Sequence, residues 1–447
     1  MAAEDISYSR KWVILIVGMG MNTVPGLNDY FMSPFLPNYH QKRGVSVTVN
    51  GIIFGLCPVG EVTSALLVFL FLLSIRNKKL LALSGMLLTG FSQILLGLLN
   101  FLFPTNNYAY IPLAMILRFA VGFGVGVNFT SGVPIFVELF PKMRGRVCSY
   151  LTAAMTVGGV MGPGLGSVLY SWGGYTLPFW VVGFYCVILA VIGLFIIPKP
   201  EPTTSKAETN DKFSARLAFN FMKDPGVCVI IFSSNLPIAT MGFFMSALSP
   251  FLLEKYGISA SRAGLFMIPL SLGRGIISPL YGYLVDKGFG VLTYQFVGVF
   301  VTTLGYSILY LLRFLDDSTF SLTILEILLF VISCSCAAIF ATFIPTIIEV
   351  YQASVRNDDE DVTCQASAMY VVCISSGLFC GNAVCGGFLV GVVGFYNSIL
   401  VMCCLTLTAG AISGIYFWRM SSFSRKRESQ RNEEKEKTAS RMPLLEK

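Results

Sequence analysis

Twelve long apolar runs, separated by short polar segments, dominate this chain of 447 residues and restrict it to few folds. A run of roughly 20 residues crosses the hydrocarbon core of a bilayer as a helix. We read spans at roughly residues 11–35, 48–73, 79–103, 110–138, 145–170, 176–197, 226–252, 260–285, 291–313, 321–349, 364–390 and 394–418. In lipid every backbone polar group must be satisfied internally, so only helices or closed barrels span it. Continuous apolar runs of this length select helices. Composition agrees: 55% of residues are hydrophobic and 12% charged, against about 45–50% and about 25% in soluble domains. The 43 glycines and 20 prolines fit membrane helices, where small residues allow close packing and neighbours re-satisfy the backbone.

Other classes are set aside by the same residues. The first run, from about Trp12 to Leu36, is too long for the apolar region of a cleavable signal and lacks a small-x-small site. The twelve cysteines lie mainly in apolar runs, as Cys57, Cys186, Cys373, Cys403 and Cys404 do. They read as small buried hydrophobes and not as a disulfide framework. His40 is the single histidine, and no Cys/His spacing suggests a metal site. The net charge of +7 is spread over loops and forms no patch suited to nucleic acid. No G-x-x-x-x-G-K-[ST] segment occurs, so ATP is not the direct energy source and no cofactor is expected.

The organisation follows from charge and repetition. With both termini in the cytoplasm, 24 of the 31 basic residues fall in cytoplasmic segments and five in the opposite loops, the positive-inside bias. Residues 1–198 form an N-terminal six-helix half and 226–418 a C-terminal six-helix half. A polar cytoplasmic linker, 199–225, joins them, and the charged tail 419–447 reads as disordered. The halves repeat. Ser33-Pro34-Phe35-Leu36 recurs as Ser249-Pro250-Phe251-Leu252, and Gly44-Val45-Ser46 as Gly257-Ile258-Ser259. Val133-Pro134-x-x-x-Glu138 recurs as Ile344-Pro345-x-x-x-Glu349, and Gly166 and Gly174 as Gly386 and Gly394. One duplicated six-helix unit explains all these offsets. Two such units around a midplane site are an architecture of secondary transporters.

Over residues 10–418 the sequence resembles the major facilitator superfamily. Arg118-Phe-Ala-Val-Gly122-x-Gly124 in span 4 is similar to that family's R-x-x-x-G element. Gly158-x-x-x-Gly162-Pro163-x-x-Gly166 in span 5 is similar to the element seen in its antiporters. Gly282-x-Leu284-x-Asp286-Lys287 resembles its G-x-L-x-D-[RK] loop. Phe140-Pro141-x-x-Arg144-Gly145, Gly162-Pro163-x-x-Gly-x-x-Leu-Tyr170 and Gly173-Gly174-Tyr175-x-x-Pro178-Phe179 resemble the vesicular amine and polyamine transporter branch. The resemblance implies the major facilitator fold, an all-α membrane protein of twelve helices in two pseudo-symmetric halves. It also implies a cavity lined by spans 1, 4, 7 and 10.

Each motif has its own physical reading. Glycines three or four apart share one helix face and admit a close neighbour. Pro163 removes a backbone hydrogen bond, so span 5 could bend and seal the junction of the halves; simple helix packing is the other reading. Gly282, Asp286, Lys287, Glu138 and Glu349 mark helix ends that could form a cytoplasmic gate, or merely be solvated. The first half departs from this pattern, because the repeat places Leu73 where Asp286 lies.

The deep charges are the informative ones. Asp29, Glu61, Arg118 and Arg274 fall within spans 1, 2, 4 and 8, where a charge costs a few kcal/mol unless it is paired or faces a cavity. Asp29 is the first candidate to accept a proton or bind a cation, unless it lies near the luminal mouth. Glu61 and Arg274 occupy matched positions of the repeat and could form a salt bridge between halves or a substrate site.

With these charges, the resemblance to the vesicular amine and polyamine branch implies a proton-coupled antiporter of a polyamine or other organic cation, working by alternating access across a vesicular or endolysosomal membrane, with the plasma membrane as the alternative. Its partners are then a small solute, protons and the bilayer, with no nucleic acid. Two alternatives stay open. Span 11 has no acid, and Met245 stands where the repeat would place a partner of Asp29; with two deep arginines this fits a carrier of an organic anion or neutral metabolite. A transport-inactive receptor or scaffold with a transporter fold is the third reading. In the tail, Ser440-Arg-Met-Pro-Leu444-Leu445 resembles a dileucine sorting signal, through which Leu444 and Leu445 would engage sorting adaptors.

Overall fold

The structure is a computed structural model that describes residues 8–68, 78–140, 144–198, 224–286, 291–314, 318–355 and 363–416. The described residues contain helices and turns and no strand. In the first half α1 is Tyr8–Tyr30, the short α2 Leu36–Lys42, α3 Val47–Leu67 and α4 Lys78–Leu102. It continues through α5 Asn107–Leu139, α6 Arg144–Gly173 and α7 Thr176–Ile196. The second half holds α8 Pro225–Tyr256, α9 Ala260–Asp286, α10 Val291–Leu311 and α11 Ser318–Val355. Its α12 runs from Thr363 to Val393 through a π-helical stretch, Cys380–Leu389, and α13 is Phe395–Tyr416. Setting α2 aside, these are the twelve spans read from hydropathy. Nine of the described helices are long and apolar enough to cross a membrane by length and composition alone.

Helix ends follow local chemistry. Asp224 starts α8 by accepting from the backbone N–H groups of Gly226 (2.8 Å) and Val227 (3.2 Å), with Pro225 at the first helical position. Four glycines have positive φ: Gly44 (73°), Gly174 (63°), Gly257 (65°) and Gly394 (82°). They form two repeat-related pairs, each turning the chain at the bundle face away from the termini. A side chain there would be strained, so the duplication is preserved where backbone conformation requires glycine.

The packing repeats as well. Contacts of α1 with α6, α3 with α5 and α4 with α5 are matched by α8 with α12, α9 with α11 and α10 with α11. The halves meet through α3 against α12, α6 against α9 and α2 against α8. On the far face Asn38 Nδ2 donates to Ser249 Oγ (3.0 Å), and Ser249 Oγ donates to the Pro34 carbonyl. The two copies of the Ser-Pro-Phe-Leu repeat thus touch. Behind them His40, only 1% exposed, joins Asn50 Oδ1 (2.7 Å) and the Tyr110 hydroxyl (2.9 Å) through its two ring nitrogens. Asn50 Nδ2 in turn reaches the Ser246 carbonyl of the other half (3.5 Å).

Candidate functional site

Helix length places the deep charges at one level. On the far side of the bundle α3 begins at Val47, α5 at Asn107 and α9 at Ala260. Glu61, Arg118 and Arg274 lie well inside those helices, roughly 17–21 Å from these ends at about 1.5 Å per residue. Asp29 reaches a similar depth because the chain beyond α1 continues through turns into α2 and ends only at Lys42. It is not at the mouth.

Glycines bring these helices together. A Cβ on Gly122 would strike the Cys57 carbonyl, and one on Gly126 would come within 2.8 Å of the Glu61 carbonyl oxygen. Only glycine lets α5 press on α3 so closely, which sets Arg118 beside Cys57 and Glu61. The span-5 glycines act likewise on α1. Gly158 abuts the Thr23 carbonyl, a Cβ on Gly162 would meet Tyr30 Cβ at 3.0 Å, and Gly166 abuts the Phe31 carbonyl. That glycine face therefore packs within the first half, against the helix carrying Asp29. Another part of α6 meets the second half: a Cβ on Gly264 of α9 would strike Ser167 and lie 2.6 Å from the Pro163 carbonyl oxygen. Pro163 lies inside a continuous α6.

The result is a cluster with acidic and basic members. A carboxylate oxygen of Asp29, Cys57 Sγ and a carboxylate oxygen of Glu61 lie within 4.8 Å of one another. Ser375 of α12 donates to Glu61 Oε2 at 3.1 Å, a hydrogen bond across the halves. Arg118 is 2% exposed, its charge acts on Asp29, Cys57 and Glu61, and its Nε and Nη1 have no hydrogen-bond partner among the described residues. Arg274 enters from the second half. Its guanidinium lies 5.6 Å from the Tyr30 ring centroid and 5.1 Å from that of Phe340, and its charge reaches Asp29. Asp29, Glu61 and Arg274 are partly exposed.

Two ionised carboxylates about 5 Å apart repel by about 3 kcal/mol at an effective dielectric of about 20. A proton or an ammonium group between them removes that repulsion, and Arg118 offsets part of it. Asp29, Cys57 and Glu61 also have the donor types of a metal site, but the Arg118 charge already supplies the positive partner there. No metal is required to explain the cluster.

The structure gathers Asp29, Glu61 and Arg118, with Arg274 facing them. It does not pair Glu61 with Arg274. No ion pair joins them among the described residues; Glu61 turns to Ser375, and Arg274 lies against rings. Tyr30, Cys57, Phe340 and Ser375 also belong to the site, beyond the residues that sequence reasoning identifies. Cys57 has a usable signal, since it lies one helical turn before Glu61. Ser375 has none, being one small polar residue in an apolar run 314 positions away. The charges come from spans 1, 2, 4 and 8, with Phe340 from span 10 and Ser375 from span 11. The proposed gate lies outside the described residues. Lys287, Leu444 and Leu445 fall there entirely, and Gly282, Asp286, Glu138 and Glu349 do so beyond their helical backbone.

Comparison with known proteins adds to this picture. A family model described as the Major Facilitator Superfamily matches residues 13–358. The chain is 27% identical to mouse "MFS-type transporter SLC18B1" over 429 residues, covering 95% of this chain and 90% of that protein. It is 22% identical to the rat "Synaptic vesicular amine transporter" over 293 residues, covering 63% of this chain and 54% of that protein. Among solved structures it resembles a bacterial homolog of the human lysosomal transporter Spinster, captured inward-facing and unoccupied. That match has a TM-score of 0.71 and 14% identity and covers 94% of this chain and 99% of that one. It also resembles the nucleoside transporter NupG, with a TM-score of 0.67 and 12% identity over 91% of this chain and 99% of that one.

Proposed function

The chain belongs to the Major Facilitator Superfamily, and from that premise we propose that it is a proton-coupled antiporter carrying a polyamine or another organic cation into a vesicle or organelle. As a member of that family it is a membrane-spanning carrier of small molecules and not an enzyme. The observation that carries the proposal is the site of Asp29, a partly exposed carboxylate with Glu61 and Cys57 within 4.8 Å. Such a pair exchanges a proton for an amine without changing the charge of the site.

Alternating access supplies the cycle. On the far face Asn38, Ser249 and Pro34 link the halves; in this reading they hold that face closed, and opening it breaks those bonds. The glycine face of α6 holds α1, so Asp29 moves with the first half while Ser375 and Arg274 move with the second. Both termini then lie in the cytoplasm and the closed face looks into the lumen. Gly282, Asp286, Lys287, Glu138 and Glu349 would form the gate on the cytoplasmic face. Leu444 and Leu445 would direct the carrier to its membrane through sorting adaptors.

Supporting the amine reading are the acidic pair and the similarity to a synaptic vesicular amine transporter. One observation favours a second reading. The unpartnered N–H groups of Arg118, with Arg274 beside them, would suit an organic anion. Asp29→Asn separates the two. In proteoliposomes with an acidic interior it should abolish spermidine uptake driven by the gradient. Undiminished spermidine uptake by Asp29→Asn would refute the assigned role. Uptake of an organic anion with no spermidine uptake by the unmodified protein would establish the second reading, and uptake of neither solute would favour a transport-inactive scaffold.

A further inference from the structure

We propose that Arg274 is a tethered stand-in for the transported cation, occupying the amine subsite when no solute is bound. The inference rests on the cation-carrier reading given above.

Three observations carry it. First, the environment of the Arg274 guanidinium is that of a recognised organic cation. It lies 5.6 Å from the ring centroid of Tyr30 of α1 and 5.1 Å from that of Phe340 of α11. Rings at such distances attract a cation through their quadrupoles, most strongly when water is excluded. Tyr30 is 2% exposed, so solvent scarcely reaches its ring. Second, the acid is correctly placed but not fully engaged. The Arg274 charge reaches Asp29 from the opposite half, yet no ion pair forms between them at contact distance among the described residues. Arg274 therefore neutralises the site without the bidentate geometry that would lock it. Third, the tether is fixed while the head is partly exposed. The Arg274 backbone N–H donates to Ser333 Oγ at 2.9 Å, which holds that turn of α9 against α11. The side chain is partly exposed and can swing away when a cation arrives.

The geometry also defines the class of solute. A cation that replaces Arg274 must present an amine or guanidinium head to two ring faces and to Asp29. A second amine on the same molecule could reach Glu61, whose carboxylate lies within 4.8 Å of the Asp29 and Cys57 ligand atoms. Flat, strongly basic heads should compete best, because the occupant they displace is a guanidinium. Arg118 has a different place. It belongs to the same half as Asp29 and Glu61 and remains their permanent counter-charge.

The test is equilibrium binding of radiolabelled spermidine to the purified full chain in nanodiscs, with methylguanidinium as competitor. Arg274→Met and Arg274→Gln remove the charge and keep much of the length, and Arg274→Lys keeps a charge. Both neutral variants should bind spermidine at least about tenfold tighter, which corresponds to about 1.4 kcal/mol. Methylguanidinium should compete at lower concentration against the neutral variants than against the unmodified protein. Arg274→Lys should stay near the unmodified affinity. Size-exclusion profiles of the two neutral variants identify any that is misfolded, and the folded one decides. If the unmodified protein binds spermidine and the neutral variants bind it equally or more weakly, the stand-in role is overturned while the cation reading survives. If neither the unmodified protein nor the variants bind spermidine, both fall.

Discussion

Gly158 and Gly159 are neighbours on α6, and the packing assigns them opposite tolerances. A Cβ on Gly158 would overlap the Thr23 carbonyl oxygen and lie 3.0 Å from the Leu27 nitrogen. Both are backbone atoms of α1, so neither can yield without moving the helix. A Cβ on Gly159 would meet Arg274 Nη2 at 3.4 Å and Tyr30 Cδ2 at 3.5 Å, ordinary contacts with side chains. Restoring normal contact at Gly158→Ala therefore pushes α1 and α6 apart by on the order of 1 Å, given optimal carbon contacts of about 3.5–4.0 Å. Overpacking of this kind costs about 1–3 kcal/mol. The better helix propensity of alanine returns only about 1 kcal/mol. At Gly159→Ala the propensity gain meets no backbone clash. Thermal unfolding of the purified full chain, followed by fluorescence-detected size exclusion, should show Gly158→Ala melting several degrees lower. Gly159→Ala should melt at or slightly above the unmodified protein. Uptake should fall at Gly158→Ala in step, because α1 carries Asp29. If both variants are equally damaged, or Gly158→Ala matches the unmodified protein, the α1–α6 contact does not position the site.

Two further predictions concern bonds across the halves. Ser375→Ala removes the 3.1 Å donor to Glu61, a contribution of about 1.5–3 kcal/mol for a charged acceptor. Spermidine uptake should fall by at least about tenfold and the melting temperature should drop, and unchanged uptake would show that Glu61 needs no donor. Asn38→Cys combined with Ser249→Cys replaces side chains whose polar atoms are 3.0 Å apart. Oxidation should cross-link them, stop uptake and be reversed by reductant, whereas continued uptake by the cross-linked protein would mean that the far face need not open.

Much of the architecture was legible because lipid imposes it. Spans are long and apolar by necessity, and helix bounds such as Thr176–Ile196 and Ala260–Asp286 lie within one residue of the sequence reading. The repeat was legible where backbone conformation requires glycine, as at Gly44 and Gly257. The depth of Asp29 was not, because hydropathy does not reveal that the chain continues past Tyr30 into α2. Nor was the separation of Glu61 from Arg274. The repeat sets them at equal depth, but each turns toward a different neighbour, Glu61 to α12 and Arg274 to Tyr30 and Phe340. Depth is a one-dimensional property that sequence carries; the direction of a side chain depends on which helices the glycines let approach.

The most direct measurement of the central claim is spermidine uptake into proteoliposomes holding the unmodified protein, with and without an acidic interior. The account predicts accumulation that needs the gradient, collapses with a proton uncoupler and is absent in Asp29→Asn. Uptake indifferent to the gradient, or confined to an organic anion, would contradict proton–cation exchange at Asp29.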